Sequence, residues 1–201
     1  MTKLALLLIC STLILSVAAC SKAPTEELSA SQIAIDAVVS EGGGKFTPED
    51  LKLVQDALTA AQDEIKLQDG KFLKNYDQAK KQLADVKAQA EALKTKVSAV
   101  KEEQRMNAVA ALASATDAIS EALALLEVAP QGKGSLADIA MMKADVAGLQ
   151  EALGEVQPLI DSEDYIAAGE RAVSIQGKAA AISEEVTIAQ EKFAQTQAQK
   201  K

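Results

Sequence analysis

The chain reads as an all-α protein: an elongated antiparallel helical bundle of two three-helix modules, sharing one long central helix if that helix stays unbroken. Three observations predict this. Apolar residues, chiefly alanine, leucine and valine, recur at alternating spacings of three and four along almost every segment, which is the spacing of a helical seam. The only aromatic residues are Phe46, Phe72, Tyr76, Tyr165 and Phe193, so the core suits closely approaching helices rather than bulky rings. From Phe72 to Ala129 there is neither glycine nor proline, and nothing in that stretch forces a helix to stop.

The first segment is not part of the bundle. Met1-Thr2-Lys3 carries one positive charge, and Leu4 to Val17 is apolar apart from Cys10, Ser11, Thr12 and Ser16. That run is too short for a span needing roughly 20 apolar residues and has the make-up of a secretory signal peptide, residues 1–19. It ends Val17-Ala18-Ala19-Cys20, which resembles the lipobox of bacterial lipoproteins. The resemblance implies that residues 1–19 are removed and that Cys20 becomes the diacylated N-terminus, carrying chains such as palmitate. Ser21 behind it resembles the outer-membrane default rather than the Asp retention signal, which implies an outer-membrane lipoprotein facing the periplasm. The alternative is an ordinary signal cleaved after small residues, with Cys20 an incidental thiol. Two or three acyl chains make an effectively permanent anchor, because one chain alone binds a bilayer only reversibly.

Composition then closes several routes. With 21 basic against 29 acidic residues the formal charge is −8, or −9 once Lys3 is lost, and the signs are mixed along the chain. No basic face is available for nucleic acid. Histidine is absent, Cys10 leaves with the signal and Cys20 carries lipid. Zinc sites, Cys/His nucleophiles and histidine bases are therefore excluded, and no cofactor is expected.

Residues 20–25 form a short tether. A first helix is expected over Glu26 to Ser40, capped by Thr25 or by Ser29 with Gln32 as a capping box, and stopped by Gly42-Gly43-Gly44. Thr47-Pro48-Glu49-Asp50 reads as N-cap, proline at the first position and acids in the first turn. Its seam is Leu51, Val54, Leu58, Ala61 and Ile65, and Asp69-Gly70 ends it. Continuous helix from Phe72 to Ala129 would be roughly 85 Å long, with the seam Tyr76, Ala79, Leu83, Val86, Ala90, Leu93, Val97, Val100. Around Lys101 to Asn107 the seam turns polar, then resumes one residue out of phase at Ala108, Leu112, Ala115, Ile119, Ala122 and Leu126. This marks a stutter or a module boundary, and the rival arrangement breaks the chain here into one compact bundle. A loop from Ala129 to Gly134 precedes a helix opened by Ser135, with the seam Ile139, Met142, Val146, Leu149, Leu153, Val156, ending near Pro158. Asp161 or Ser162 is expected to cap the last helix, whose seam runs Tyr165, Ala168, Ala172, Ile175, Ala179, Ile182, Val186, Ala189, Phe193. Module 1 is thus 26–104, module 2 is 105–197, and 198–201 is a tail.

The halves match. Gly44-Lys45, Thr47 and Asp50 fall on Gly132-Lys133, Ser135 and Asp138 at an offset of 88 residues, and Tyr76 falls on Tyr165 at 89. The shared Gly-Lys, caps and tyrosine favour an internal duplication. The layout resembles spectrin repeats in architecture only. The halves also resemble a helical domain of uncharacterised function found in bacterial lipoproteins, with alanine-rich seams, a Gly-rich loop before a capped helix, and the steps Asp69-Gly70-Lys71-Phe72 and Glu163-Asp164-Tyr165.

Each candidate site has a bland competitor. Gly42-Gly43-Gly44-Lys45 and Gly132-Lys133-Gly134-Ser135 suggest phosphate loops, but both lack the P-loop spacing and a preceding strand, so helix connections are expected. Asp161, Glu163 and Asp164 offer oxygen ligands without an EF-hand pattern, and acids suit a first helical turn. Tyr76 and Tyr165 lie on seams, as core residues or else as partner contacts. The end Gln199-Lys200-Lys201 resembles, in its lysine alone, the murein lipoprotein joined to peptidoglycan through a terminal lysine, which makes Lys201 a candidate linkage point. The expectation is a non-catalytic, lipid-anchored spacer or scaffold that binds an envelope protein or peptidoglycan; the alternative is a carrier of a lipid or other apolar ligand between helices.

Overall fold

A computed structural model describes residues 22–130 and 136–199. Cys20, the signal segment 1–19, Gly132-Lys133-Gly134-Ser135 and Lys201 lie outside the described residues. Among the described residues there is no strand. The helices are α1 (Thr25–Glu41), α2 (Gly43–Phe46), α3 (Pro48–Asp69), α4 (Asp77–Glu127), α5 (Leu136–Gly154), α6 (Val156–Asp161) and α7 (Tyr165–Ala198). The chain is all-α, as the seams predict, and α4 is the long central helix. Two compact units divide within α4, between Ser98 and Ala99, six residues before the expected 104/105 boundary.

In the first unit α1 runs up, α3 down and α4 up. Ser31 Oγ, fully buried, donates to the Leu83 carbonyl at 2.9 Å, while Lys96 pairs with Asp50 at 2.7 Å and Ser98 Oγ donates to Glu41 at 3.2 Å. One contiguous core joins the three helices: Ile35 and Val38 from α1, Leu51, Val54, Leu58 and Ala61 from α3, and Leu83, Val86, Ala90, Leu93 and Val97 from α4. These are seam positions, spaced so that one face of each helix is buried. Their burial, not helix propensity, supplies most of the stability.

The second unit repeats the order. Lys101 reaches Glu163 at 2.6 Å and Gln190 Nε2 donates to the Leu125 carbonyl at 3.4 Å, so α7 runs parallel to α4; Arg171 Nε donates to the Ala152 carbonyl, so α5 runs antiparallel to both. Buried positions of the two units coincide at the sequence offsets. Ala79, Leu83, Val86, Ala90 and Val97 fall, 89 residues on, on Ala168, Ala172, Ile175, Ala179 and Val186, all buried. In the seam of α7, Ser183 is buried where Ile182 is expected and Ile182 is half-buried, while Ala189 and Phe193 are exposed.

Helix α4 passes through the polar segment without a break. From Val97 the next buried position is Ala108, eleven residues on. Eleven residues lie about 20° from three whole turns, which is the stutter that lets a seam change phase in a continuous helix. Half-buried Lys101 and Gln104 fill the inward line between them.

Helix boundaries differ from expectation at several places. Helix α1 starts behind Pro24 with no side-chain cap bond, so neither Thr25 nor Ser29 caps it; Pro24 is itself buried and fixes the entry. Gly42, at φ 106°, ends α1 by bonding back to Val38 and Val39 carbonyls, and the glycine run then closes into α2 instead of staying open. Thr47 stands before Pro48, but its hydroxyl bonds the Gly43 carbonyl at 3.3 Å rather than capping α3. Helix α4 begins at Asp77, not Phe72. Pro158 does not end the fourth segment, because the break at Glu155 puts it in the first turn of α6, where proline is tolerated. The cap position of α7 is Asp164, not Asp161 or Ser162.

Candidate functional site

The most informative surface is the end of the first unit where the tether emerges. Lys22, Ala23, Thr25, Glu26 and Glu27 line a shallow hollow with Lys80, so the first described residues lie beside the first turn of α4. The connection from α3 to α4 lies at this same end. It is braced from within: the Asn75 backbone N–H donates to Gln68 Oε1 at 3.3 Å, Gln68 Nε2 donates to Glu64 at 2.6 Å, and Asn75 Oδ1 accepts from the Asp77 N–H at 2.9 Å. Tyr76 is 1 % exposed and its hydroxyl donates to Asp69 Oδ1 at 2.5 Å. Between these anchors Phe72 is 100 % and Leu73 84 % exposed, flanked by Lys71 and Lys74. The sequence reading missed this pair, taking Phe72 as the start of a helix. The usable signal was Asp69-Gly70 with Asn75, a turn start and an Asx turn, six residues apart.

The hydrogen bond to Asp69, followed by burial and by the Asp69 charge, holds the Tyr76 hydroxyl above its ordinary value of 10.0. A raised folded-state value means the protonated hydroxyl stabilises the fold fully below the unfolded value and less as pH rises past it. Tyr76→Phe is expected to lower the urea midpoint at pH 8, and the gap from wild type should narrow above about pH 10. A gap that stays constant through that window contradicts the assignment. In the second unit, bidentate bonds from Arg105 at 2.8 and 2.7 Å lower the Glu102 carboxyl and raise the Arg105 guanidinium.

The remaining candidates resolve into structural roles. At the glycine run the amides of Lys45, Phe46 and Thr47 bond the carbonyls of Gly42 and Gly43, closing it into a helical turn. A Cβ on Gly43 would lie 2.6 Å from Val38 Cγ1, so that glycine serves a close approach to α1. The three acids do not converge. Asp161 accepts from Gln157, Glu163 pairs with Lys101 and sits at φ 61°, just past the end of α6, and Asp164 precedes α7. Among the described residues no group of three or more His, Cys, Asp or Glu is placed to hold a metal ion. Tyr165, at 7 % exposure, packs inside the second unit as Tyr76 does in the first. Both rings are almost wholly closed off from solvent.

Within the second unit, α5 and α7 flank a cleft of ≈ 170 Å³, lined by Ala129, Ile139, Met142, Val186, Ala189 and Phe193. Ile139 and Met142 are half-buried there, whereas their counterparts Leu51 and Val54 are buried. In the first unit Phe46 packs onto the corresponding core; the residue 88 positions on is Gly134, which has no side chain to contribute.

One described helix, α4, is long and apolar enough to cross a membrane by length and composition alone. Its most apolar stretch, beyond Asn107, is alanine-rich and holds Asp117 and Glu121, with Ala108, Ala115, Ile119, Ala122 and Leu126 buried. No family model, no characterised relative and no solved structure matches the chain.

Proposed function

We propose that this protein is a lipid-anchored helical spacer or scaffold of the bacterial outer membrane, acting by binding rather than by catalysis. The observation that carries the reading is Val17-Ala18-Ala19-Cys20 placed directly behind a charged and then apolar segment, with helix α1 starting only five residues after Cys20. Acyl chains on Cys20 would hold the first unit against the bilayer, and the outward faces of the helices would bind another envelope component, either a protein or peptidoglycan. A covalent link through Lys201 is the narrowest form of that idea.

A carrier function is the second reading, favoured by the cleft of the second unit. Its ≈ 170 Å³ falls below the roughly 300–1,000 Å³ of ordinary ligand sites, so the cleft fits a ring-sized apolar group better than a lipid. Crosslinking in living cells, followed by denaturing purification, separates these readings. A scaffold gives covalent adducts with an envelope protein or with peptidoglycan fragments. Recovery of uncrosslinked monomer alone contradicts it.

A further inference from the structure

We propose that the loop Lys71-Phe72-Leu73-Lys74 inserts into the bilayer: Phe72 and Leu73 enter the interfacial layer of the membrane that holds the chains on Cys20, and Lys71 and Lys74 meet its phosphates. The proposal rests on the anchor reading and adds a second contact to it. A fully exposed phenylalanine next to an 84 % exposed leucine adds nothing to the buried core, whereas Tyr76 just behind them is buried.

Position supplies the occupant. The tether hollow is shared with Lys80, three residues into α4, or about 4.5 Å along its axis from Asp77. The loop lies on the chain immediately before Asp77, at the same end of the unit. From Cys20 to Thr25 a fully extended chain reaches at most about 18 Å, and the described backbone already accounts for Lys22 to Thr25. A lipidated Cys20 therefore brings this end of the bundle to the headgroups, where an apolar side chain roughly 5–10 Å deep is at its favoured depth. Aromatic rings and flanking lysines are the residues that suit the interface: the ring is buried beside the headgroups while the ammonium groups stay hydrated or meet anionic phosphates.

The second unit provides an internal control. Where the first unit exposes Phe72 and Leu73, the corresponding stretch of the second is helix α6, with Ile160 half-buried, followed by Ser162 and Glu163. At this connection the apolar pair of the first unit, Phe72-Leu73, is exposed, whereas that of the second, Leu159-Ile160, is half-buried. Lys74 also lies 3.8 Å from Asp69, which braces the loop from its polar side and leaves the two apolar side chains outward.

The chain has no tryptophan, so Phe72→Trp gives a single reporter at a site whose side chain touches nothing in the fold. The acylated protein, purified from membranes and returned to vesicles of phosphatidylethanolamine and phosphatidylglycerol, should show blue-shifted emission that is quenched by lipids bearing a nitroxide near the glycerol. Val173→Trp, at a 58 % exposed position of α7, should emit as a water-exposed indole in the same vesicles. Intact mass of the same sample reports the acyl chains. An acylated Phe72→Trp sample whose indole emits as in water overturns the loop proposal and leaves the anchor standing. Blue-shifted emission that nitroxide lipids do not quench assigns the loop to a protein partner or a second copy, and likewise overturns it. A sample without acyl chains overturns the anchor, and the loop proposal with it.

Discussion

Cys20→Ala is expected to abolish incorporation of labelled palmitate and to take the protein out of the outer-membrane fraction. The size of the effect follows from the lipid. A sixteen-carbon acyl chain buries about fourteen methylenes at about 0.8 kcal/mol each, roughly 11 kcal/mol per chain, and nothing else in the mature protein approaches that affinity. Phe72 and Leu73 together could contribute only a few kcal/mol, and the formal charge of −8 opposes adhesion to anionic headgroups. The loop can orient an anchored protein but cannot hold an unanchored one. Fractionation with a palmitate label checks this directly; a Cys20→Ala protein that stays with the outer membrane, or still takes up label, contradicts the anchor.

Gln104→Pro is expected to break α4 at its phase change. Proline there removes the N–H bond to the Val100 carbonyl and sets its ring against that carbonyl, a cost of about 3 kcal/mol or more. The position is half-buried and lies on the inward line between Val97 and Ala108, so no surface rearrangement relieves the clash. In the wild type, amides from Lys101 to Asn107 should exchange slowly, like those of the flanking turns, because they belong to one helix. In Gln104→Pro they should exchange roughly a hundred-fold faster, the rate equivalent of about 3 kcal/mol. Exchange that is already fast in the wild type and unchanged by proline would mean the helix is interrupted at Lys101 to Asn107, as the compact rival arrangement requires.

The architecture was legible because it depends on spacing. Alternating threes and fours identify the buried face of a helix whatever its partner, and the residues so selected, from Leu51 to Ala61, Ala79 to Val97 and Tyr165 to Ala179, are the buried ones. The phase change after Val97 was visible for the same reason. Helix ends were less legible, because they are decided by contacts across the fold. Tyr76 reads as one more seam residue, yet its bond to Asp69 and the Gln68–Asn75 bond hold the preceding residues out of helical geometry. Phe72, read as the first turn of a helix, is thereby displaced into solvent. Asp161 and Ser162 look like caps, but α6 uses them to finish its own turn, and Glu163 at φ 61° moves the start of α7 to Tyr165. Beyond Val186 the seam continues in sequence to Ala189 and Phe193, which face half-buried Ile139 and Met142 of α5 across the cleft.

The central claim is that the mature protein begins at a lipidated Cys20. The most direct measurement is the intact mass of protein extracted from native membranes. The account predicts a chain of residues 20–201 increased by the mass of a diacylglyceryl group, with or without a third acyl chain. A mass that includes residues 1–19, or one corresponding to a free thiol at Cys20, would contradict it.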